Sequence, residues 1–400
     1  MSYFFESVLG VYAAINAYMF FRLRATLVGC GPLRGMACAI FALFAFSFPA
    51  GRLLADLLPI PLLDVLTMMG SLYLSPMVYG FLLTAAADIF RLLNGVIAIT
   101  HNPPPFSAGV RLCSVSAIFG MSMIITLAGM WNADTPVIVT HDLPISTPLQ
   151  TEGAGTILKI AAMSDIHLGQ LTGPRYLKKL VTTVNEQFPD IVLLLGDTID
   201  SDYFFRDESG VSKSAELLSS FNARLGTWAI LGNHDYYVGA DRVKDFLSAS
   251  GVRLLIDEAV NVDGRVTLVG RADRTVIRYG EKRMDIADII SSSLSDSDSI
   301  SRPVIVMDHQ PFGLDESMRY GADLQLSGHT HRGQIFPVNF IIASMYEKSY
   351  GLYKKDSTNY YISSGAGVWG SPARTVGRPE IVIINIENIQ EGGHENGDIR

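Results

Sequence analysis

The chain has 400 residues, which leaves room for two or three domains, and its formal net charge is −8 at pH 7. This negative charge argues against a nucleic-acid-binding protein, which would normally show a basic face. Hydrophobic residues make up 48% of the chain and charged residues only 18%, which is too apolar for an ordinary soluble enzyme, so we expect a membrane region. Cys30, Cys38 and Cys113 all lie in the first third, so the remainder is expected to contain neither disulfides nor thiolate metal sites.

Residues 1–132 are predicted to form an all-α transmembrane region of about four helices. The stretches 65–87 and 112–132 are each uncharged for more than twenty residues, enough for a helix to cross about 30 Å of hydrocarbon. The stretch 35–51 is shorter, and the stretch 7–21, which has a charged residue at each end, is the weakest candidate. The alternative for one of these four is a buried or re-entrant helix.

The arginines beside these stretches predict the orientation of the chain, because cytoplasmic connections between spans contain an excess of Lys and Arg. The basic residues of the first and third connections are Arg22, Arg24, Arg34, Arg91 and Arg111. The second connection has only Arg52, and residues 132–151 contain neither Lys nor Arg. We therefore expect a multi-pass protein of the cell membrane whose C-terminal region lies outside the cytoplasm.

The region after the helices is predicted to be a linker followed by a layered α/β domain. Residues 133–156 contain three prolines and two glycines and are predicted to be an extended linker, and residues 388–400 are predicted to be a disordered tail. Residues 157–387 alternate short apolar runs with amphipathic stretches, as packed layers of strands and helices require. Strands are predicted at residues 157–163, 191–195, 228–231, 253–256, 266–269, 304–307, 324–326, 360–362 and 381–386. Helices are predicted at residues 175–187, 214–222, 242–248 and 282–293.

Five of the predicted strands are followed at once by polar clusters, which read "SDIHLG", "GDTID", "GNHD", "DHQP" and "SGHTH" in chain order. Five of the six histidines after residue 151 lie in these clusters. In layered α/β folds ligands bind outside the carboxyl ends of strands, so the polar side chains of the clusters are expected to meet at one edge. These side chains are Asp165, His167, Asp197, Asn233, His234, His309, His329 and His331.

Together these side chains predict a metal centre, although each cluster taken alone is more typical of a polar turn or a capped loop. So many carboxylates and imidazoles in one place require partners, and a cation is a suitable one. Imidazole and carboxylate without thiolate suit Zn, Fe, Mn or Ni. Six ligating side chains and one carboxylate that can be shared are too many for one ion but suitable for two. Two-metal sites of this kind promote in-line displacement at phosphorus.

The five clusters, in this order, resemble the signature blocks of the calcineurin-like metallophosphoesterases, over residues 157 to about 386. Near the end of the chain, "YEKSYGLY" and "GAGVWGSPARTVGRPEI" resemble the bacterial membrane-associated branch of that family. The resemblance implies a four-layer αββα sandwich. It also implies that one metal ion is bound by Asp165, His167 and His331. A second ion would be bound by Asn233, His309 and His329, with Asp197 bridging the two.

The resemblance further implies hydrolysis of a phosphoric ester by a hydroxide held between two divalent or trivalent ions, with Mn, Zn and Fe as the candidates. His234 would act near the leaving group, either as a general acid or as a charge stabiliser. Asp235 is a candidate to orient His234, and a helix or turn cap is the equal alternative for it. Asp200 and Asp308 are further candidates, to orient ligands, and the alternative for Asp308 is a solvent-exposed residue at a strand end. Arg332 and Arg374 are candidates to contact phosphate, and a surface arginine is the alternative for each.

We therefore expect a membrane-anchored phosphoesterase with a binuclear metal centre, acting on a phosphomonoester, a phosphodiester or a pyrophosphate. Its expected partners are the bilayer and a phosphorylated substrate, which would be lipid- or envelope-linked if the apolar stretch 335–346 forms a lip that faces the bilayer. The alternatives are a helix packed on the sandwich for this stretch, and a soluble substrate. The alternative function is a catalytically vestigial metal-binding sensor or scaffold at the membrane. It is disfavoured because every predicted ligand is retained.

Overall fold

Four helices occupy the first third of the chain, as predicted. They are α1 (Tyr3–Thr26), α2 (Pro32–Leu53), α3 (Ile60–Ile97) and α4 (Ala108–Ala133). This computed structural model describes residues 3–54, 57–97, 108–145, 156–294, 300 and 303–388. Within those residues three helices are long and apolar enough to cross a membrane, over Pro32–Leu53, Ile60–Leu93 and Gly109–Ala133. The more charged α1, with Glu6 in its first turn and Arg24 in its last, is not among them. These helices indicate a membrane protein.

The chain divides into two compact units. The helical unit ends at Asn132 and also includes Gly370–Thr375, whereas the second unit comprises Ala133–Trp369 and the chain from Val376 onward. The second unit contains two mixed six-stranded sheets.

The first sheet has the strand order β1-β12-β2-β3-β4-β5. Its strands are β1 (Val137–Ile145), β2 (Thr156–Met163), β3 (Ile191–Leu195), β4 (Thr227–Ile230), β5 (Arg253–Leu254) and β12 (Glu380–Asn388). The strands from β2 to β5 run parallel, with Ala161 opposite Val192 and Leu194 opposite Ala229. The last strand, β12, pairs antiparallel with β2 and parallel with β1.

The second sheet has the strand order β10-β11-β9-β8-β7-β6. Its strands are β6 (Glu258–Val262), β7 (Val266–Gly270), β8 (Val304–Met307), β9 (Leu324–Ser327), β10 (Gly351–Lys355) and β11 (Thr358–Ile362). The four inner strands are parallel, and β6 and β10 pair antiparallel at the two edges. The carboxyl ends of the parallel strands in each sheet therefore point to one edge of that sheet.

Helices cover the outer faces of both sheets. They are α5 (Pro174–Asn185), α6 (Glu208–Ser219), α7 (Asn233–Ala249), α8 (Ile286–Ser293) and α9 (Asp315–Tyr320). A further helix, α10 (Val338–Met345), has no buried residue. Alternation along the strands builds the layers, because successive side chains point to opposite faces of a sheet. In β3, Leu193 joins the core between the two sheets, and Val192 and Leu194 join the core under α5, α6 and α7. In β8, Ile305 points to the core between the sheets and Val306 to the core under α8. The predicted four-layer αββα sandwich is confirmed.

The predicted linker at residues 133–156 contains a strand that the prediction missed. Residues 137–145 form β1, an edge strand whose side chains alternate between more and less exposed positions. Pro144 suggested a loop, yet proline is tolerated in an edge strand, where one side of the backbone needs no partner. Residues 146–155 and 389–400, which cover ten further residues of the predicted linker and all but one residue of the predicted tail, lie outside the described residues.

Candidate metal centre and active site

The eight predicted site residues come from five loops at the carboxyl ends of parallel strands. Asp165 and His167 follow β2, Asp197 follows β3, and Asn233 and His234 begin α7 just after β4. His309 follows β8, and His329 and His331 follow β9. Six of the eight are buried, and His234 and His329 are partly buried. The two sheets thus contribute residues to one centre.

The backbone at this centre adopts an uncommon conformation. Five of the predicted ligands have positive φ angles, namely Asp165 (54°), His167 (52°), Asp197 (51°), His329 (69°) and His331 (49°). Left-handed backbone costs free energy in a residue with a side chain, and such strain concentrates at functional sites. Close packing adds a further restriction, since a Cβ on Gly328 would lie 1.7 Å from Ser164 Oγ and 2.4 Å from Asp165 Oδ2. The loops are therefore held in a shape that their local sequence would not favour.

Asp165, His167 and His331 form one candidate metal group, with ligand atoms that lie within 4.8 Å of one another. His331 Nε2 lies 3.0 Å from His167 Nε2 and 3.4 Å from Asp165 Oδ1. The other nitrogen of His167, Nδ1, lies 3.2 Å from Asp200 Oδ1, which leaves Nε2 for a metal ion. The predicted ligands of the first ion are thus brought together.

Asp197, His309 and His329 form the second candidate group. His309 Nε2 lies 3.2 Å from Asp197 Oδ2, and His309 Nδ1 contacts the Leu195 carbonyl oxygen at 2.8 Å, so that Nε2 faces the centre. Asn233 is also buried here, and its Oδ1 has no hydrogen-bond partner among the described residues. Buried amide oxygens rarely lack a partner, so Asn233 fits a cation as its missing partner.

Asp197 belongs to more than one group of candidate ligands. Its Oδ2 lies 3.8 Å from His167 Nε2 as well as 3.2 Å from His309 Nε2. Its Oδ1 accepts a hydrogen bond from the backbone N–H of His234 at 2.8 Å, which fixes the carboxylate plane. A carboxylate between two sets of imidazoles can bridge two cations.

The electrostatics of the centre favour positive charge. Burial alone would lower the pKa of His309, but Asp197 outweighs burial and raises this pKa well above its ordinary value. Burial opposes ionisation of Asp197 too, yet His309 and His234 hold its pKa well below the usual range. His329 behaves differently, because burial and the positive charge of His309 lower its pKa to about 4. Protons on the imidazoles supply part of the positive charge that the buried carboxylates attract. Metal ions bound by the same nitrogen and oxygen atoms would supply that charge equally well.

His234 stands beside this centre, and the aspartate that faces its imidazole is Asp200. His234 Nδ1 lies 3.1 Å from the Asp200 carbonyl oxygen and 3.5 Å from Asp200 Oδ1. Asp235 instead accepts backbone hydrogen bonds from Gly232 (2.9 Å), Ile199 (3.0 Å) and Thr198 (3.3 Å). It belongs to the capping box of α7, which was the alternative role for this residue. The same carboxylate oxygen of Asp200 thus faces both His234 and His167.

Comparison with known proteins identifies the family to which this centre belongs. A family model for the calcineurin-like phosphoesterases matches residues 158–333. An uncharacterised metallophosphoesterase of Campylobacter jejuni is 31% identical over 323 residues, which are 79% of this chain and 80% of that protein. The chain belongs to the calcineurin-like metallophosphoesterases. It is therefore a metal-dependent hydrolase of phosphoric esters.

Other relatives of this metallophosphoesterase include a protein whose name describes it as a transmembrane protein. A transmembrane protein with a metallophosphoesterase domain from Danio rerio is 30% identical, over 66% of this chain and 60% of that protein. A Helicobacter pylori metallophosphoesterase is 34% identical over 60% of this chain and 62% of its own length, so the match spans less than two thirds of both relatives. A solved 5′-nucleotidase precursor from Thermus thermophilus gives a TM-score of 0.36 at 13% identity, with 57% of this chain and 54% of that chain covered.

Buried ion pairs support the metallophosphoesterase centre from the side of the second sheet. Asp308, next to His309, is buried and pairs with Arg283, and Arg271 Nη1 lies 3.6 Å from its carboxylate. Asp308 is therefore not the solvent-exposed residue that was its alternative. Arg271 and Arg283 were not predicted as partners of Asp308, because they lie at least 25 residues from it in the chain.

The two arginines predicted to contact phosphate have different surroundings. The Arg332 guanidinium lies over the Tyr350 ring, 4.2 Å from its centroid. Arg374 is fully buried in the segment Gly370–Thr375 of the helical unit, and its carbonyl oxygen accepts a hydrogen bond from Asn132 at 3.0 Å. Two aromatic residues flank His234. The rings of Tyr237 and Trp369 lie 5.7 Å and 5.6 Å from the His234 ring.

Proposed function

We propose that this metallophosphoesterase is anchored in a membrane and hydrolyses a phosphomonoester, a phosphodiester or a pyrophosphate at a binuclear centre. The observation that supports this proposal best is the convergence of six predicted ligands into two groups, which Asp197 links because its Oδ2 lies 3.2 Å from His309 Nε2 in its own group and 3.8 Å from His167 Nε2 in the other. Asp165, His167 and His331 would hold one ion, and His309, His329 and Asn233 the other. Such ions lower the pKa of a coordinated water and neutralise phosphate charge when bound, with Mn, Zn and Fe as candidates.

The surrounding residues suggest how the leaving group is handled. With His234 Nδ1 directed at Asp200, Nε2 is the nitrogen that remains to give a proton to the departing ester oxygen. Asp200 would orient this imidazole and stabilise its protonated form, the role that the sequence suggested for Asp235. Asp235 would act indirectly, by tying the loop that contains Thr198 to the start of α7.

Contacts inside the helical unit support four membrane spans, although α1 is less apolar than the other helices. Tyr12 Oη donates to the Ala45 carbonyl oxygen at 2.7 Å, and Tyr73 Oη donates to Asn16 Oδ1 at 2.6 Å. Ala45 and Tyr73 lie near the middle of α2 and of the apolar part of α3. We therefore infer that α1 runs beside these helices at the depth of the bilayer core.

The arginines of the helical unit support an extracytoplasmic catalytic domain. Asp88 on α3 pairs with Arg22 at the end of α1 and with Arg91 at 2.9 Å. Arg111 on α4 donates to the carbonyl oxygen of Val28, between α1 and α2, at 3.1 Å. The first and third connections thus share one basic end of the unit, which the positive-inside rule assigns to the cytoplasm.

The substrate is proposed to be lipid- or envelope-linked. Candidate spans within the chain would keep the catalytic domain at a bilayer surface, where such phosphoesters are concentrated. A soluble phosphoester is the competing outcome of any substrate screen.

The decisive experiment uses the purified full chain, stripped of metal and then given Mn, Zn or Fe separately. We expect metal-dependent hydrolysis of p-nitrophenyl phosphate or bis(p-nitrophenyl) phosphate. Asp197→Ala should lower this activity at least about a hundredfold, because the bridging ligand is lost. Asp241→Ala, at a side chain that is 95% exposed, is the matched control and should be neutral. Stoichiometric metal binding without hydrolysis of any ester would instead favour a vestigial sensor.

A further inference from the structure

The stretch between Arg332 and Glu347 contains no charged residue and is unusually exposed for its composition. It includes α10, in which no residue is buried. Phe336, Phe340 and Ile341 are 46%, 63% and 60% exposed, and Met345 is 48% exposed. A helix that packed on the sandwich would bury its apolar face, so these side chains serve another surface.

This apolar stretch is joined to the metal centre. It begins two residues after His331, and a Cβ on Gly333 would lie 2.3 Å from the Cα of Asn339, so the ligand loop packs directly on α10. Gln334 Nε2 donates to the Trp369 carbonyl oxygen at 3.0 Å, and its Oε1 accepts from the Trp369 backbone N–H at 3.1 Å. The Trp369 ring in turn contacts His234. A chain of contacts through Gln334 and Trp369 therefore links the loop before α10 to the histidine proposed to act at the leaving group.

We propose that α10 inserts into the surface layer of a phospholipid bilayer and brings the metal centre to the phosphoesters of lipid headgroups. Aromatic and aliphatic side chains without nearby charge are suited to the boundary between headgroups and acyl chains. A bilayer is also the apolar environment nearest to this domain, because only residues 134–136 separate the candidate span α4 from β1. Headgroup hydrolysis rests on the proposed function, whereas insertion does not.

The depth of α10 can be measured in the full chain reconstituted into vesicles of phosphatidylcholine and phosphatidylglycerol. With Cys30, Cys38 and Cys113 replaced by serine, a nitroxide is attached at Phe340→Cys or, as a control, at Phe188→Cys, an apolar position that is 81% exposed. Insertion predicts more frequent collisions with oxygen and fewer with a water-soluble nickel complex at position 340 than at position 188. Equal access of nickel to both positions would overturn the proposal. Protection from both reagents at position 340 would also overturn it, since it indicates a protein partner such as a second copy.

A kinetic experiment tests the consequence for catalysis. The double variant Phe340→Glu with Ile341→Glu should lose at least about tenfold in hydrolysis of phosphatidic acid or phosphatidylglycerol in vesicles, while hydrolysis of bis(p-nitrophenyl) phosphate stays unchanged. Phe188→Glu is the matched control and should change neither rate. A double variant that hydrolyses the lipids at the full rate would refute the role of α10 in substrate access. If the unsubstituted protein hydrolyses no ester at all, the proposed function fails, while the depth measurement still decides whether α10 inserts.

Discussion

At the scale of single residues, the aspartates around His234 differ in what their carboxylates can do. Asp235 is fully buried, and the hydrogen bonds given above that it accepts all come from backbone N–H groups. Its carboxylate therefore stabilises the conformation of the loop. Asp200 is partly exposed and faces two imidazoles through one oxygen. Replacing its charge should therefore alter catalysis more than folding.

Asp200→Asn is expected to lower kcat for esters with alkyl leaving groups about 10–100-fold at saturating metal, the usual effect of losing a group that orients a catalytic residue. Esters of p-nitrophenol should be affected less, because p-nitrophenolate departs without needing a proton. The measurement compares kcat and KM for both ester types. Asp202→Asn, at an exposed side chain paired with Arg242, is the matched control. Equal losses for the two ester types would mean that Asp200 acts only through the candidate ligand His167.

The sequence could predict which residues converge at the candidate centre, but not their exact partners. The ligands stand at strand ends, where a strand pattern and a polar cluster are both visible in the chain. Which aspartate faces His234 depends on the left-handed backbone at Asp197 and on the capping of α7 by Asp235, and neither feature has a reliable signal in the sequence. Sequence patterns report distances along the chain, whereas these contacts arise only after folding.

At the scale of elements, all nine predicted strands are present, and the three that were missed share one property. β1, β6 and β10 each form an edge of a sheet. An edge strand has one neighbour and is partly exposed, so it needs less apolar sequence, as "GLYKK" in β10 illustrates. Inner strands such as β3 are buried on both faces and appear as uninterrupted apolar runs. Burial, not strand formation itself, is what the hydrophobic pattern reports.

Glu316 joins three elements behind the second sheet. It lies in the first turn of α9, accepts a hydrogen bond from Arg271 just after β7 at 2.6 Å, and accepts another from the backbone N–H of Ile286 in α8 at 3.0 Å. Partial burial would raise the pKa of Glu316, but these donors outweigh burial and lower the pKa below its ordinary value of 4.5. The folded state thus favours the ionised form.

Glu316→Gln is expected to lower the free energy of unfolding by about 1 kcal/mol at pH 7, because the charge-assisted bond to Arg271 is lost. A lowered pKa in the folded state stabilises the protein above the unfolded pKa, and this contribution disappears as the pH falls through the folded pKa. The difference between the variant and the unsubstituted protein should therefore shrink as the pH falls below the ordinary pKa of 4.5. Urea unfolding followed by tryptophan fluorescence at pH 7 and at acid pH measures both values. The exposed Glu216→Gln is the control, and a difference that does not depend on pH would contradict the assignment.

At the scale of the whole molecule, the orientation proposed for the protein in the membrane does not depend on whether α1 spans it. The connection between α1 and α2 lies at the basic end of the helical unit in either case. If that end is cytoplasmic, α2 would cross outward, α3 would cross back and α4 would cross outward again, which would leave the chain after Ala133 on the far side. Only the side on which the first residues lie changes with the number of spans.

Thiol labelling in spheroplasts of an expression host tests this orientation, since it asks which parts of the chain a membrane-impermeant maleimide can reach. In a variant that keeps only Cys30, between α1 and α2, labelling should require permeabilised membranes. In a cysteine-free chain with Asp241→Cys, in the catalytic domain, labelling should occur in intact spheroplasts, because the side chain at this position is 95% exposed. Ser7→Cys then counts the spans, because it is reached from outside only if α1 crosses the membrane.

Labelling of Cys30 but not of position 241 in intact spheroplasts would reverse the orientation. Protection of both until permeabilisation would mean that the crossings between them are even in number, and the catalytic centre would then face the cytoplasm.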